Sequence, residues 1–354
     1  MAKILFISDL NFGSKSELPV TDEHRLLTLE KICSIGVHHD ILLIGGNLFG
    51  TNQVDNVTIS KIAAQIELLK NENTEVYISA GEYELENCKK LEESGLIILG
   101  HGTVHKGITG IGVSGFQIKS DEGLDLITQP ETEYPVIALI NATTSIETEL
   151  KKVLAGKNDS GFVFFAIGGN HDFKIFRVAG KPVGAQCGSS EPLKRSCKGA
   201  RYALSFEISD QSPDKVSRYQ VNTLEYNEYK IDTAIYQSEQ QLFEAIKDLG
   251  AKNLMAKFEF TGTNLWSTFS VNDLAPFFFN LETDYKYNTD IDSLIHQFRD
   301  EISIRGLFYR ELELRLANSS EINGIDTAFL TALLNKMNST EELCEEDICD
   351  LYNV

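Results

Sequence analysis

KILFISDLNFG at residues 3–13 and DILLIGGNLFG at residues 40–50 follow one plan: a short run of Ile, Leu and Phe breaks abruptly into glycine, aspartate or asparagine. Three further segments repeat it, EVYISAGEYELEN at 75–87, PVIALINA at 135–142 and FVFFAIGGNHDF at 162–173. Continuous apolar runs of this length fit strands buried on both faces. Polar residues just past the C-terminal ends of such strands sit where open α/β sheets place their chemistry.

Working outward, strands are expected at 3–8, 40–45, 75–79, 96–99, 135–140 and 161–167. Between them Ile59, Ile62, Ala63, Ile66 and Leu69 recur at the spacing of one helical stripe. The Gly-punctuated stretch 96–118 reads as short antiparallel strands with tight turns. Ser-Asp-Gln-Ser-Pro at 209–213 suggests a domain boundary. A strand at 228–236, a helix near 238–249 and a strand at 252–261 follow. From about 290 the pattern turns helical, with Ile291, Leu294, Ile295, Phe298 and Ile302 on one face and Ile325, Phe329, Leu333 and Met337 on another. These two amphipathic helices read first as packed on their own domain and second as laid against another protein.

At 354 residues and 42% hydrophobic, the chain is long enough for two or three domains. No run approaches the roughly 18 apolar residues of a membrane span, and ILFI leads straight into Ser8-Asp9 as a strand, not a secretory leader. The cysteines, Cys33, Cys88, Cys187, Cys197, Cys344 and Cys349, form no C-x-x-C pair and read as reduced, buried thiols of a cytoplasmic protein. A net charge of −20 excludes a surface that grips nucleic acid everywhere. It leaves room for a local basic groove, for which Lys181, Lys194, Arg195, Lys198 and Arg201, set against Glu191 alone, are the candidates. Glu341, Glu342, Glu345, Glu346, Asp347 and Asp350 make an acidic tail, solvated or docked on a basic partner.

The order of the strand-end motifs resembles that of calcineurin-like metallophosphoesterases: D-x-H, G-D, G-N-H-D, a lone His, then G-H-x-H. Such enzymes hold two cations about 3.5–4 Å apart, with a carboxylate between them to offset their repulsion. Carried over residue by residue, the resemblance puts Asp9 on the first Asp, Asn11 on its His, and Asn47 on the bridging Asp. Glu82 stands for the Asn ligand, Tyr83 for the His that protonates the leaving group, and Glu84 for the residue that orients it. Asn141 takes the place of the lone His, Gly169 of the first His in G-H-x-H, and His171 of the second. Of seven ligand positions only Asp9 and His171 keep the expected residue. Gly169-Asn170-His171-Asp172 also spells the third block by itself, but no further His-bearing strands follow it.

Gly188-Ser189-Ser190-Glu191-Pro192-Leu193 is similar to the G-S-x-E-P-L block of SbcD-type DNA repair exonucleases, and 229–264 resembles their capping module. The resemblance covers roughly residues 1–265. It implies a metallophosphoesterase-type β-sandwich flanked by helices (αββα) at 1–208, a small α+β capping domain at 209–285 and a helical partner-binding segment at 286–354. It also implies a homodimer and a coiled-coil, SMC-like ATPase partner, met by Ile291, Leu294, Phe298, Phe329 and Leu333, with DNA as a further partner. The cofactor expected is none, or one weakly held Mn²⁺ or Mg²⁺. The leading expectation is therefore a catalytically degenerate scaffold subunit. The alternatives are an active metal-dependent exonuclease or phosphodiesterase with a mononuclear site of Asp9, Asn11, Asn47, Glu82 and His171, or a nucleic-acid-binding module using 181–201. His101, His105 and Trp266 are read as turn or packing residues.

Overall fold

Side chains along the first strand, β1 (Ala2–Ile7), alternate between two cores: Leu5 and Ile7 join one cluster, Ile4 and Phe6 another. β2 (Ile41–Ile44) and β3 (Glu75–Ile78) divide in the same way, with Leu42, Ile44, Val76 and Ile78 on one face and Ile41, Leu43 and Tyr77 on the other. That double burial explains why these runs are apolar throughout. The computed structural model describes residues 1–81, 84–118, 127, 131–142, 161–209, 212–262 and 273–285, and beyond them 295–296, 298–302, 306–307, 309–310 and 313. These residues make a mixed α/β fold.

The chain divides into two compact units, Met1–Asn227 and Glu228–Val354. In the first, β1, β2, β3 and β4 (Leu96–Ile98) run parallel, joined by α1 (Asp22–Gly36), α2 (Asn56–Asn71) and α3 (Leu85–Lys89). Asp55 caps α2 by accepting from the Thr58 N–H at 2.8 Å. Ile59, Ile62, Ile66 and Leu69 of α2 are buried, as their spacing foretells, together with Leu26, Leu29 and Ile32 of α1.

The second sheet comprises β5 (Val104–Lys106), β6 (Gly112–Ile118), β7 (Val136–Ala142), β8 (Phe162–Gly168), β9 (Lys174–Val178) and β10 (Lys181–Gln186), in the order β5-β6-β7-β8-β10-β9. With β11 (Tyr202–Ile208) and β12 (Val216–Gln220), the first sheet has the order β12-β11-β1-β2-β3-β4. The sheets pack face to face: Phe164 of β8 meets Phe206 of β11 with ring centroids 4.3 Å apart, inside the shared core. The second sheet buries its other face too, through Phe116, Ile140, Phe165 and Ile167.

Two expectations are corrected. The stretch 96–118 is not one antiparallel group, because β4 pairs parallel with β3 in the first sheet while β5 and β6 pair antiparallel in the second. The break expected at 208/209 falls instead inside a hairpin, since β12 pairs antiparallel with β11 from Val216 to Gln220. The Pro-containing turn therefore connects two strands of one sheet, and the first unit runs on to Asn227.

The second unit's sheet has the order β13-β14-β15, from β13 (Glu225–Asp232), β14 (Leu254–Thr261) and β15 (Asn280–Tyr285), with β14 and β15 parallel. The strand expected to reach residue 236 stops at Asp232, whose side chain accepts from Ala234 N–H to open a 3-10 turn over Thr233–Ile235. α4 (Glu239–Lys247) packs Leu242 and Ile246 against Ile231, Phe258 and Phe260. Phe298, expected at a partner surface, is 8% exposed and stacks on Tyr309 at 5.3 Å. Ile302, expected on the same face, lies past the turn at 299–300 and is fully exposed. Ile291, Leu294, Phe329, Leu333 and the acidic tail lie outside the described residues. No helix among the described residues is long and apolar enough to cross a membrane.

Two consequences are measurable. His39 is buried between α1 and β11, with Nδ1 2.9 Å from the Ile35 carbonyl and Nε2 2.9 Å from Ser205 Oγ. Since a carbonyl can only accept, Nδ1 carries the proton. Burial holds this imidazole below its usual 6.5, so the unfolded chain takes up a proton before the folded one does. Stability is therefore retained above about pH 6.5 and declines on acidification below it. In His39→Gln, which keeps both contacts without titrating, thermal melts should lose this limb of the pH profile.

The second consequence concerns the thiols. Cys33, Cys88, Cys187 and Cys197 are free and buried, and burial pushes Cys33 and Cys187 up to about 12. Shielded from the reagent by burial, all four should resist iodoacetamide in the native protein and label in denaturant, as peptide mass mapping would show.

Candidate functional site

The C-terminal ends of β1, β2, β3, β7 and β8 converge at one edge of the sandwich, and two Gly-Gly pairs make the convergence close. A Cβ on Gly168 would overlap the Gly45 carbonyl, and one on Gly46 would overlap the Asn141 amide. The loops after β1 and β2 run side by side: Asp9 N–H donates to Gly46 O at 3.1 Å, Asn11 N–H to Asn47 O at 2.8 Å, and Phe12 N–H to Leu48 O at 2.9 Å. Among the described residues five non-glycines adopt positive φ, and three of them are Asp9 (56°), Asn11 (54°) and Asn47 (52°). Left-handed backbone costs energy in most residues and gathers at functional sites; Asp and Asn tolerate it best.

Asp9 is fully buried, and both carboxylate oxygens are occupied. Asn47 Nδ2 donates to Oδ1 at 2.7 Å; the Gly169 N–H at 3.1 Å and Ser8 Oγ at 2.5 Å donate to Oδ2. Burial drives this carboxyl upward, against the lowering pull of Asn47, Ser8, His171 and Gly169. Burial pushes His171 down, opposed by the Asp9 carboxylate and reinforced by Lys194 and Arg201. The structure thus brings Asp9, Asn47 and His171 together, with Asn11 beside them on the first loop.

Glu84 is 1% exposed and accepts three backbone N–H groups: Asn47 at 2.9 Å, Phe49 at 3.1 Å and Gly81 at 2.7 Å. Its role in the fold is to bind the loop after β2 to the loop after β3. Burial raises its carboxyl and these donors oppose the rise. Asn141 donates Nδ2 to the Ser79 carbonyl at 3.2 Å. Its Oδ1, His171 Nδ1 and Asn11 Nδ2 are buried and have no hydrogen-bond partner among the described residues. Glu82 and Tyr83 lie outside the described residues.

These residues do not fit a pair of divalent cations. Asn47 turns a donor, not a lone pair, toward Asp9, and Gly169 carries no side-chain ligand. A side chain at 169 is also barred, because its Cβ would overlap the Ala142 carbonyl at a φ of +84°. Among the described residues no group of three or more His, Cys, Asp or Glu is placed to hold a metal. No family model matches the chain, and no curated protein matches it either.

The basic run differs in exposure along its length. Lys181, Lys194 and Lys198 are exposed and Arg195 is half-buried. Arg201, expected at a phosphate, is 6% exposed; it donates to the Ser189 carbonyl from Nε at 3.0 Å and to the His171 carbonyl from Nη2. These bonds brace the loop that carries His171. Glu191 also points inward, accepting from Thr28 Oγ1, from the Thr223 N–H at 2.6 Å and hydroxyl at 2.7 Å, and from the Leu224 N–H at 3.3 Å. His101 packs edge-on against Phe116 and accepts from the Gln117 N–H at 3.4 Å, and His105 Nδ1 lies 3.1 Å from the Tyr77 hydroxyl. Trp266 lies outside the described residues.

Sequence reasoning missed Ser8, the bracing by Glu84 and Arg201, and the touching backbones of Gly45 and Gly168. The two Gly-Gly pairs at strand ends were the available signal for that contact.

Proposed function

We propose that this chain is a phosphoesterase-like scaffold subunit of the SbcD type whose two-metal centre no longer works. It is proposed to act in the cytoplasm as a homodimer beside a coiled-coil, SMC-like ATPase, in DNA end processing or repair. In this reading the first unit is the metallophosphoesterase-type sandwich, the second begins with the cap, and the C-terminal segment meets the ATPase. The observation that carries it is the hold of the protein's own donors on Asp9. The carboxylate in the first ligand position has both oxygens taken by the protein's own donors, one of them the amide at the bridging position. The left-handed backbone at Asp9, Asn11 and Asn47 supports a site whose frame was kept while its donors changed.

The test is cleavage of bis-p-nitrophenyl phosphate and of linear DNA with Mn²⁺. The purified chain should show no turnover above that of its Asp9→Ala/His171→Ala double variant. Turnover that the double variant abolishes would refute the reading.

Two atoms favour the second reading, an enzyme with a single cation: Asn141 Oδ1 and His171 Nδ1 are buried without a partner among the described residues, and both become cation ligands when the imidazole carries its proton on Nε2. One stoichiometric bound ion, in protein purified without chelator, would select it.

A further inference from the structure

We infer that Asn47 closes this site as a two-handed hydrogen-bond link, tying the ends of four strands from both sheets where the family would hold a cation pair. The chain of contacts is continuous. Glu84, after β3, accepts the Asn47 backbone N–H at 2.9 Å; Asn47, after β2, donates Nδ2 to Asp9, after β1, at 2.7 Å; and Asp9 accepts the N–H of Gly169, after β8, at 3.1 Å. The first three strands belong to one sheet and β8 to the other, so the last contact joins the layers.

Residue type decides the chemistry. Asparagine accepts the φ of 52° at this position, and its amide supplies the N–H that a buried carboxylate needs. An aspartate at 47 would set two carboxylates against each other, a pair that needs a cation or a shared proton. Asn47 thereby makes the junction independent of cations. Only in treating position 47 as a former ligand position does the inference rest on the proposed function.

A double-mutant cycle of Asp9→Gly and Asn47→Gly tests it, with glycine chosen because alanine would add strain at positive φ. At one denaturant concentration Asn47→Gly should raise the unfolded-to-folded ratio about tenfold, the size of one lost hydrogen bond, and Asp9→Gly by more, because Ser8 and Gly169 lose their acceptor as well. The double variant should raise it far less than the product of the two. Independent, multiplying effects would overturn the link and leave the proposed function standing. Two Mn²⁺ ions bound per wild-type chain, with a matching rise in melting temperature, would overturn both.

Should Asp9→Gly not fold, side-chain amide exchange in the intact protein decides. The Asn47 Nδ2 protons should exchange about tenfold or more slowly than those of exposed Asn52. Equal rates would overturn the link.

Discussion

Replacing Glu191 by alanine should cost the first unit about 3 kcal/mol, because it strips the acceptor from four donors, those of Thr28 and Leu224 buried and those of Thr223 half-buried. Glu191 is 0% exposed and gathers the Thr28 hydroxyl, the Thr223 N–H and hydroxyl, and the Leu224 N–H. One carboxylate thus joins α1, the loop before β11 and the segment after β12. For a unit of this size the loss corresponds to a fall in melting temperature of roughly 6–12 °C, measurable by differential scanning calorimetry. Glu191→Gln should fall less, since one oxygen still accepts while the buried charge is gone. A melt of Glu191→Ala within 2 °C of wild type, taking about 2 °C as half a kcal/mol, would show that this residue does not join the three segments.

The second large effect is expected at Gly168. A methyl group there would meet the Gly45 carbonyl, and backbone cannot move aside as a side chain can, so β2 and β8 must separate at their ends. We expect Gly168→Ala to cost about 3 kcal/mol, the upper part of the usual range for overpacking. Gly180→Ala is the control. That glycine has a φ of +83° and open space around it, so alanine should cost only about 1 kcal/mol of backbone strain. Chemical denaturation midpoints would separate the two. Equal losses would mean that the sheets do not touch at Gly45 and Gly168.

Much of the fold was legible because double burial writes itself into a strand as an unbroken apolar run. Ile4 to Ile7, Ile41 to Ile44 and Phe162 to Ile167 could be placed without any partner in view. What was hidden depends on which sheet a strand joins. β4 and β6 lie in one Gly-punctuated stretch, yet Ile98 pairs with β3 while Val113 lies in the other sheet. The 209–213 turn shows the same limit, since proline and serine mark a turn equally well inside a sheet and between domains. For the site, the strand-end rule pointed to the loops and the resemblance to Asp9, Asn47 and His171 within them, but sequence could not say which way an amide donates. That Asn47 faces Asp9 as a donor, and that Arg201 is turned inward, are facts of geometry.

Crystals of the full chain grown with manganese, with data recorded at the manganese absorption edge, test the central claim most directly. The account predicts no paired anomalous peaks at the ends of β1, β2 and β8, with Asn47 Nδ2 still hydrogen-bonded to Asp9. Two peaks about 3.5–4 Å apart flanking the Asp9 carboxylate would contradict it.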